Sequence, residues 1–314
     1  MTRHIIAGAA QLGPISRSES RAVVVARMID LLKQAKSRGC RYVVFPEMAL
    51  TTFFARWYME DEAELDSFYE TEMPGPKTQP LFDMAAQLGV GFYLGYAELA
   101  YEDGKKKRYN TAVIANERGQ IIGKYRKVHI PGHVEFLPKR SVQHLEKRYF
   151  DPGNFGFPVW REFDGIVGMC LCYDRRWPET FRVMGLQGVE LVAVGYNTPA
   201  ANREATEPNH LKMFHNHIVM QAAAYQNGTW IIASAKAGNE DGFDMLGGSC
   251  IISPAGEIVA RSHSLDDELI THQCDLDLCK YIKETVFNFA EYRQPESYKR
   301  IVDQVGVEYP PKAE

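Results

Sequence analysis

Three strand-like runs in this 314-residue chain each stop on a side chain able to take part in covalent chemistry. "VVFPEM" ends at Glu47, where Pro46 has no N–H to give to a neighbouring strand and so leaves a carboxylate at the strand's exit. "GKYRKVHIPG" delivers Lys127 at the end of a run that begins near Gln120. "GIVGMCLCYD" brings Cys172 to the corner where an apolar stretch turns into Asp174, Arg175 and Arg176. Pro178 suits the first turn of a following helix, and Glu179 suits its positive end. Strand, polar corner and helix N-terminus together describe a nucleophile elbow, where backbone N–H groups and nearby cations favour the thiolate.

A cysteine that attacks a carbonyl needs a base for its proton and positive charge where the oxyanion forms. Glu47, Cys172 and Lys127 cover those requirements. Taken singly, each has a plainer reading. Glu47 could be an exposed carboxylate and Lys127 a solvated charge. Cys172, in alternation with Cys170, could be a small residue facing a core. A rival chemistry comes from the histidines: His129 and His133 stand four apart, with His144, His210, His215 and His217 further on. Pro131 and Gly132 prevent "HIPGH" from forming a metal-binding helix face, and His215 and His217 would diverge on a helix. No metal and no cofactor are therefore expected.

These residues need elements to hold them. Eleven short apolar runs, among them "HIIAGAAQL", "RYVVFPEM", "VGFYLGYAEL", "NTAVIAN", "ELVAVGYN" and "LITHQCDL", have strand length and are bounded by Gly, Pro, Asn or Asp. Val24, Met28, Leu31, Leu32 and Ala35 share one face of a helix that Gly39 can end, and 209–226 offers a second helix before "QNG". Four or five helices are too few to supply the crossovers of a doubly wound sheet, so two packed sheets with helices outside are expected. No Pro/Ser-rich linker divides the chain, which favours one domain over residues 1–314 with a C-terminal extension from about 285. Residues 131–157 form a long polar and aromatic stretch without periodicity, of the kind that carries function. The tail "EYPPKAE" reads as extended and surface-lying.

Composition narrows the partners. Hydrophobic residues make up 45%, enough for a sizeable core, and no run approaches the length needed to cross a bilayer. The N-terminus lacks the apolar region of a secretory signal, so a cytoplasmic location is expected. A net charge of −4 and pI near 6.2 remove the global argument for nucleic-acid binding. The one basic cluster, "KKKRY" at 105–109, follows Asp103-Gly104 and reads as a solvated hairpin tip. The six cysteines are scattered, forming neither a disulfide framework nor a paired zinc pattern.

"FPEMALTTFF", "GKYRKVHIPGH" and "CYDRRWPETFRVMGLQG" resemble, in order and separation, the three catalytic motifs of the carbon–nitrogen hydrolase (nitrilase) superfamily. Within it, "EDEAELDSFYETEMPGP", "QHLEKRYFDPG", "DRRWPETFRVMGL" and "VGYNTP" are similar to the N-carbamoyl-D-amino-acid amidohydrolases. The resemblance implies a four-layer α-β-β-α sandwich of the α/β class, assembled as a homodimer or homotetramer. It implies Cys172 as nucleophile, Glu47 as general base, Lys127 as oxyanion partner and Glu146 as the residue orienting the lysine. Tyr173 stands where these relatives have Asn; the backbone N–H that would complete the oxyanion hole is indifferent to that change.

The substrate implied is a small N-carbamoyl amino acid, with neither nucleic acid nor membrane as partner. Arg175 and Arg176 suit its carboxylate, with structural ion pairs to Asp174 or Glu179 as the plainer reading. Asn197 and Thr198 can add hydrogen bonds, and His129 and His144 can support the pocket. A thiol so activated would be accessible and prone to oxidation. Two other functions stay open: a superfamily amidase acting on a simple carboxamide or a carbamoylated β-amino acid, and a non-enzymatic interaction protein.

Overall fold

The structure is a computed structural model that describes residues 3–140, 142–200 and 207–312. One six-stranded sheet is built from β1 (His4–Gln11), β2 (Tyr42–Val44), β3 (Gly91–Glu102), β4 (Lys105–Ala115) and β5 (Ile121–Arg126), with β14 (Glu268–Asp275) on the far edge, in the order β14-β1-β2-β3-β4-β5. The second contains β6 (Val159–Glu162), β7 (Gly165–Leu171), β8 (Leu191–Tyr196), β9 (Trp230–Ala235), β12 (Cys250–Ile252) and β13 (Ile258–Arg261), in the order β13-β12-β9-β8-β7-β6. A separate hairpin joins β10 (Ala237–Glu240) to β11 (Phe243–Leu246). Each large sheet has a parallel trio at its centre, β1-β2-β3 in one and β7-β8-β9 in the other, flanked by antiparallel strands.

The two sheets face each other across a core that includes Ala7, Val44, Tyr93, Ala112, Met169, Leu171, Ala193 and Ile232. Helices cover the outer faces. On the first sheet lie α1 (Arg21–Ser37), which buries Val24, Met28, Leu31, Leu32 and Ala35, and α2 (Gln79–Leu88). On the second lie α3 (Pro178–Leu186) and α4 (Lys212–Asn227), packed over Val192, Val194 and Ile231. The layers therefore run α-β-β-α. Ser20 caps α1 by accepting a hydrogen bond from Val23 N, and Gly228, at φ +53, ends α4 in the left-handed conformation.

Two expectations need correction. Lys105–Arg108 begin β4 instead of forming a loop tip, and their charges are paired: Lys106 with Asp66, Lys107 with Asp151 at 2.7 Å, and Arg108 Nε with Asp66 at 3.0 Å. Three strands, β6, β10 and β11, lie outside the eleven apolar runs. A further helix, α5 (Leu276–Glu284), packs Cys279 and Ile282 inward. Beyond it come only short helical pieces at Phe289–Tyr292, Pro295–Tyr298 and Lys299–Asp303, and 305–312 is exposed without regular structure. This segment roofs a cavity of about 710 Å³ against α3 and α4, lined among others by Phe181, Val183, Val219, Phe289 and Ile301.

Candidate active site

The parallel strands β2, β7 and β8 all end on the same side of the sandwich, and the reactive groups stand just beyond them. Glu47 follows β2 with its backbone held between two glycines, one from each sheet. A Cβ on Gly95 of β3 would lie 2.7 Å from Pro46 O, and one on Gly195 of β8 would lie 2.7 Å from Glu47 N. Only glycine lets the sheets close on this turn.

The Glu47 carboxylate is fully buried. Its Oε1 accepts from Lys127 Nζ at 2.9 Å and Asn110 Nδ2 at 2.8 Å, and its Oε2 from Asn197 N at 3.1 Å. Lys127, at the end of β5, also donates to Glu146 Oε2 at 2.5 Å, and the other oxygen of Glu146 meets His144 Nε2 at 2.8 Å. Burial raises the Glu47 pKa above its usual 4.5, and Lys127 opposes the shift. Burial would raise Glu146 too, but Lys127 and His144 outweigh it and hold this carboxyl down at about 2. Burial acts to lower Lys127, and the two carboxylates outweigh it, so the ammonium stays charged. Lys127 is thereby suited to hold an oxyanion and unsuited to act as a base.

Cys172 follows β7 directly with φ +46, the strained left-handed geometry of an elbow. Its Sγ donates to Asn197 O at 3.3 Å. The thiol is buried and pushed up to about 11, by burial first and then by the Glu47 charge, against the pull of Lys127 and Arg175. The expectation of an accessible thiol of low pKa is corrected: Cys172 is buried, and its pKa is raised. Asp174 ties the elbow together, accepting from Leu171 N at 3.2 Å, Tyr125 Oη at 2.7 Å and His129 N at 2.9 Å, with the His129 ring Nδ1 at 2.8 Å. The His129 ring stacks flat on Trp177 with centroids 4.9 Å apart.

The two arginines take different positions, and neither pairs with Asp174 or Glu179. Arg175 is buried, with Nε and Nη2 donating to Asn216 Oδ1 at 3.0 and 2.8 Å, Nη2 also to Thr198 Oγ1 at 3.0 Å, and Nη1 to Cys172 O at 2.5 Å. That Nη1 stands 3.7 Å from Cys172 Sγ. Its five N–H groups are all directed at protein atoms. Arg176 is half-buried and meets Glu207 at 3.3 Å. His144 reaches the site through Glu146, and His129 through Asp174. Asn197 touches the reacting groups directly, its N on Glu47 Oε2 and its O on Cys172 Sγ.

The other histidines are dispersed: His133 with Gln143, His215 with Glu207, His217 against Gly248 O. Among the described residues no three His, Cys, Asp or Glu side chains are grouped to hold a metal ion. Sequence reasoning missed Asn110, Gly95, Gly195, Asn216 and the knot at Asp174. For Asn110 a signal existed, a polar amide opening the otherwise apolar strand "NTAVIAN".

Comparison with known proteins identifies the family and the fold. The carbon–nitrogen hydrolase family model matches residues 6–284. The N-carbamoylputrescine amidase of Arabidopsis thaliana is 27% identical over 290 residues, covering 90% of this chain and 91% of its own. The citrullinase of Francisella tularensis is 26% identical over 288 residues, covering 90% of each. The crystal structure of a carbon-nitrogen hydrolase from Helicobacter pylori superposes with a TM-score of 0.81 at 24% identity, over 96% of this chain and 99% of that one.

Proposed function

Because the chain belongs to the carbon–nitrogen hydrolase family, we propose that it hydrolyses N-carbamoyl-D-amino acids to the D-amino acid, ammonia and carbon dioxide. The family's reaction, cleavage of an amide-type C–N bond, needs a nucleophile, a base and an oxyanion partner. Cys172, Glu47 and Lys127 are the residues for those roles. The observation that carries the substrate reading is the pair of guanidinium groups immediately past the nucleophile, Arg175 fixed behind the thiol and Arg176 half-buried beside Glu207 at 3.3 Å. A substrate with a carboxylate beside its carbamoyl nitrogen uses that charge, Arg176 directly and Arg175 as a fixed positive field. Support for the carbamoyl group comes from the relative named for N-carbamoylputrescine. Support for the D hand comes from the likeness of "DRRWPETFRVMGL" and "VGYNTP" to the N-carbamoyl-D-amino-acid amidohydrolases.

In this mechanism the thiol swings from Asn197 O, and Glu47 Oε2 takes its proton as Sγ bonds to the ureido carbon. Lys127 Nζ and the Tyr173 N–H hold the oxyanion. The intermediate collapses by breaking the carbon–nitrogen bond to the terminal amine, which leaves as ammonia with the proton from Glu47. A thiocarbamate remains on Cys172. Glu47 then deprotonates water, which adds to the same carbon; the C–S bond breaks and sulfur regains a proton. The N-carboxy amino acid released loses carbon dioxide. Burial raises the thiol pKa, so the attack calls for a base, and Glu47, its own pKa raised, is a stronger base than an exposed carboxylate.

Ammonia release from an N-carbamoyl-D-amino acid and from a neutral carboxamide tests the assignment. Arg176→Ala is expected to raise KM for the carboxylate substrate by about 10-fold or more, the worth of a charge-assisted hydrogen bond, and to leave the neutral amide unaffected. Equal losses on both, or turnover of the amide alone, would replace the substrate with a simple carboxamide.

A further inference from the structure

Asn110 lies in β4, fully buried, opposite Ala97 of β3. It makes contacts in two directions. Its backbone O accepts from Lys127 N at 2.8 Å, and its side-chain Nδ2 donates to Glu47 Oε1 at 2.8 Å. Lys127 Nζ reaches the same Oε1 at 2.9 Å, closing a ring of three hydrogen bonds that joins Asn110, Lys127 and Glu47. One strand residue thus sets the separation of base and lysine.

The other end of the amide is unusual. Among the described residues, Asn110 Oδ1 is buried without a hydrogen-bond partner. An unpaired buried acceptor is destabilising, a cost that an apolar side chain at this position would avoid. Such a group calls for a reason, and Glu47 supplies it. Two N–H donors occupy Oε1, whereas among the described residues Oε2 accepts only from Asn197 N and keeps a lone pair open. We propose that Asn110 is the positioning residue that makes Glu47 a one-ended base, anchoring Oε1 so that Oε2 alone takes the thiol proton. The inference rests on Glu47 as the base and is independent of which amide or carbamoyl substrate is hydrolysed.

A donor on the carboxylate favours its ionised form, so losing the amide should raise the pH at which Glu47 becomes a base. The charged and titratable groups around Glu47 are Lys127 and Glu146, Cys172 of the elbow, Tyr93 of β3 and Lys236 after β9. All of them remain in a variant at Asn110. The test is the rate at which iodoacetamide alkylates Cys172, located by mass spectrometry and followed against pH, in wild type, Asn110→Leu and Asn110→Asp. No substrate is needed, so failure of the carbamoyl reading leaves this result interpretable.

In Asn110→Leu the acid limb of the alkylation profile should move up by about one pH unit, as for loss of one hydrogen bond to a charged group, and the rate at a pH on that limb should fall about 10-fold. Asn110→Asp sets a second carboxyl against Glu47 and should move the limb further in the same direction. A wild-type limb position in whichever variant folds, with only the amount of reactive protein reduced, would overturn the proposal and leave Asn110 a structural residue.

Discussion

At the residue scale, the site works by opposing two pKa shifts within one buried cluster. Burial raises Glu47, and the Lys127 ammonium resists the rise; the same ammonium and His144 hold Glu146 at about 2. Glu47, the proposed base, can accept a proton only when ionised, so activity is expected to fall as pH drops through its raised pKa. The acid limb of kcat/KM is therefore expected above 4.5, the ordinary value for a glutamate. The linkage sign separates this from unfolding: a carboxyl whose pKa is raised in the folded state binds its proton more readily there, so protonating Glu47 does not destabilise the fold. Inactivation along the limb should be reversible, with circular dichroism unchanged. A limb at or below 4.5, or one that coincides with loss of structure, would contradict the environment described for Glu47. Glu47, Lys127 and Cys172 were legible because each interrupts an apolar run with a reactive group. The state of the thiol was not legible, because closure of the pocket, which raises its pKa, involves segments distant in sequence. Arg175 was equally opaque as to its partners, since Asn216 comes from α4, 41 positions on.

At the element scale, the reactive groups converge because β2, β7 and β8 are parallel strands at the centres of two facing sheets. Gly195 and Gly95 let those sheets approach over Glu47. Gly195→Ala would place a methyl carbon 2.7 Å from Glu47 N, and something must shift. Overpacking of this kind costs about 1–3 kcal/mol. Displacing a catalytic group by about 1 Å is expected to lower kcat about 10²-fold. The measurements are kcat and the thermal midpoint, with Gly306→Ala as control because open space surrounds that residue. A Gly195→Ala enzyme with wild-type kcat would show that the turn at Glu47 has room to spare. Apolar runs revealed the long strands and the face of α1. They could not reveal β6, a short strand with Arg161 and Glu162 in it, or the polar hairpin of β10 and β11. The basic cluster misled for a related reason: Asp103-Gly104 is a real turn, but pairing with Glu102 and Tyr101 carries β4 back into the charged residues.

At the scale of the whole molecule, the α-β-β-α sandwich followed from an excess of strands over crossover helices. Its covered faces explain why the strands near the site read as almost continuous apolar runs. Composition bounded the partners without naming them: a net charge of −4 gives no global argument for nucleic-acid binding, and the proposed carboxylate substrate rests on the local charge of Arg175 and Arg176 beside the thiol. Which hand of substrate fits is a property of the closed pocket that no run of residues spells out. The most direct test of the account is ammonia release with chiral analysis of the amino acid formed, from matched N-carbamoyl-D- and N-carbamoyl-L-amino acids, with Cys172→Ala as control. The account predicts turnover of the D form alone, giving equal amounts of ammonia and D-amino acid, and none in Cys172→Ala. Turnover of the L form instead, or ammonia released without Cys172, would contradict it.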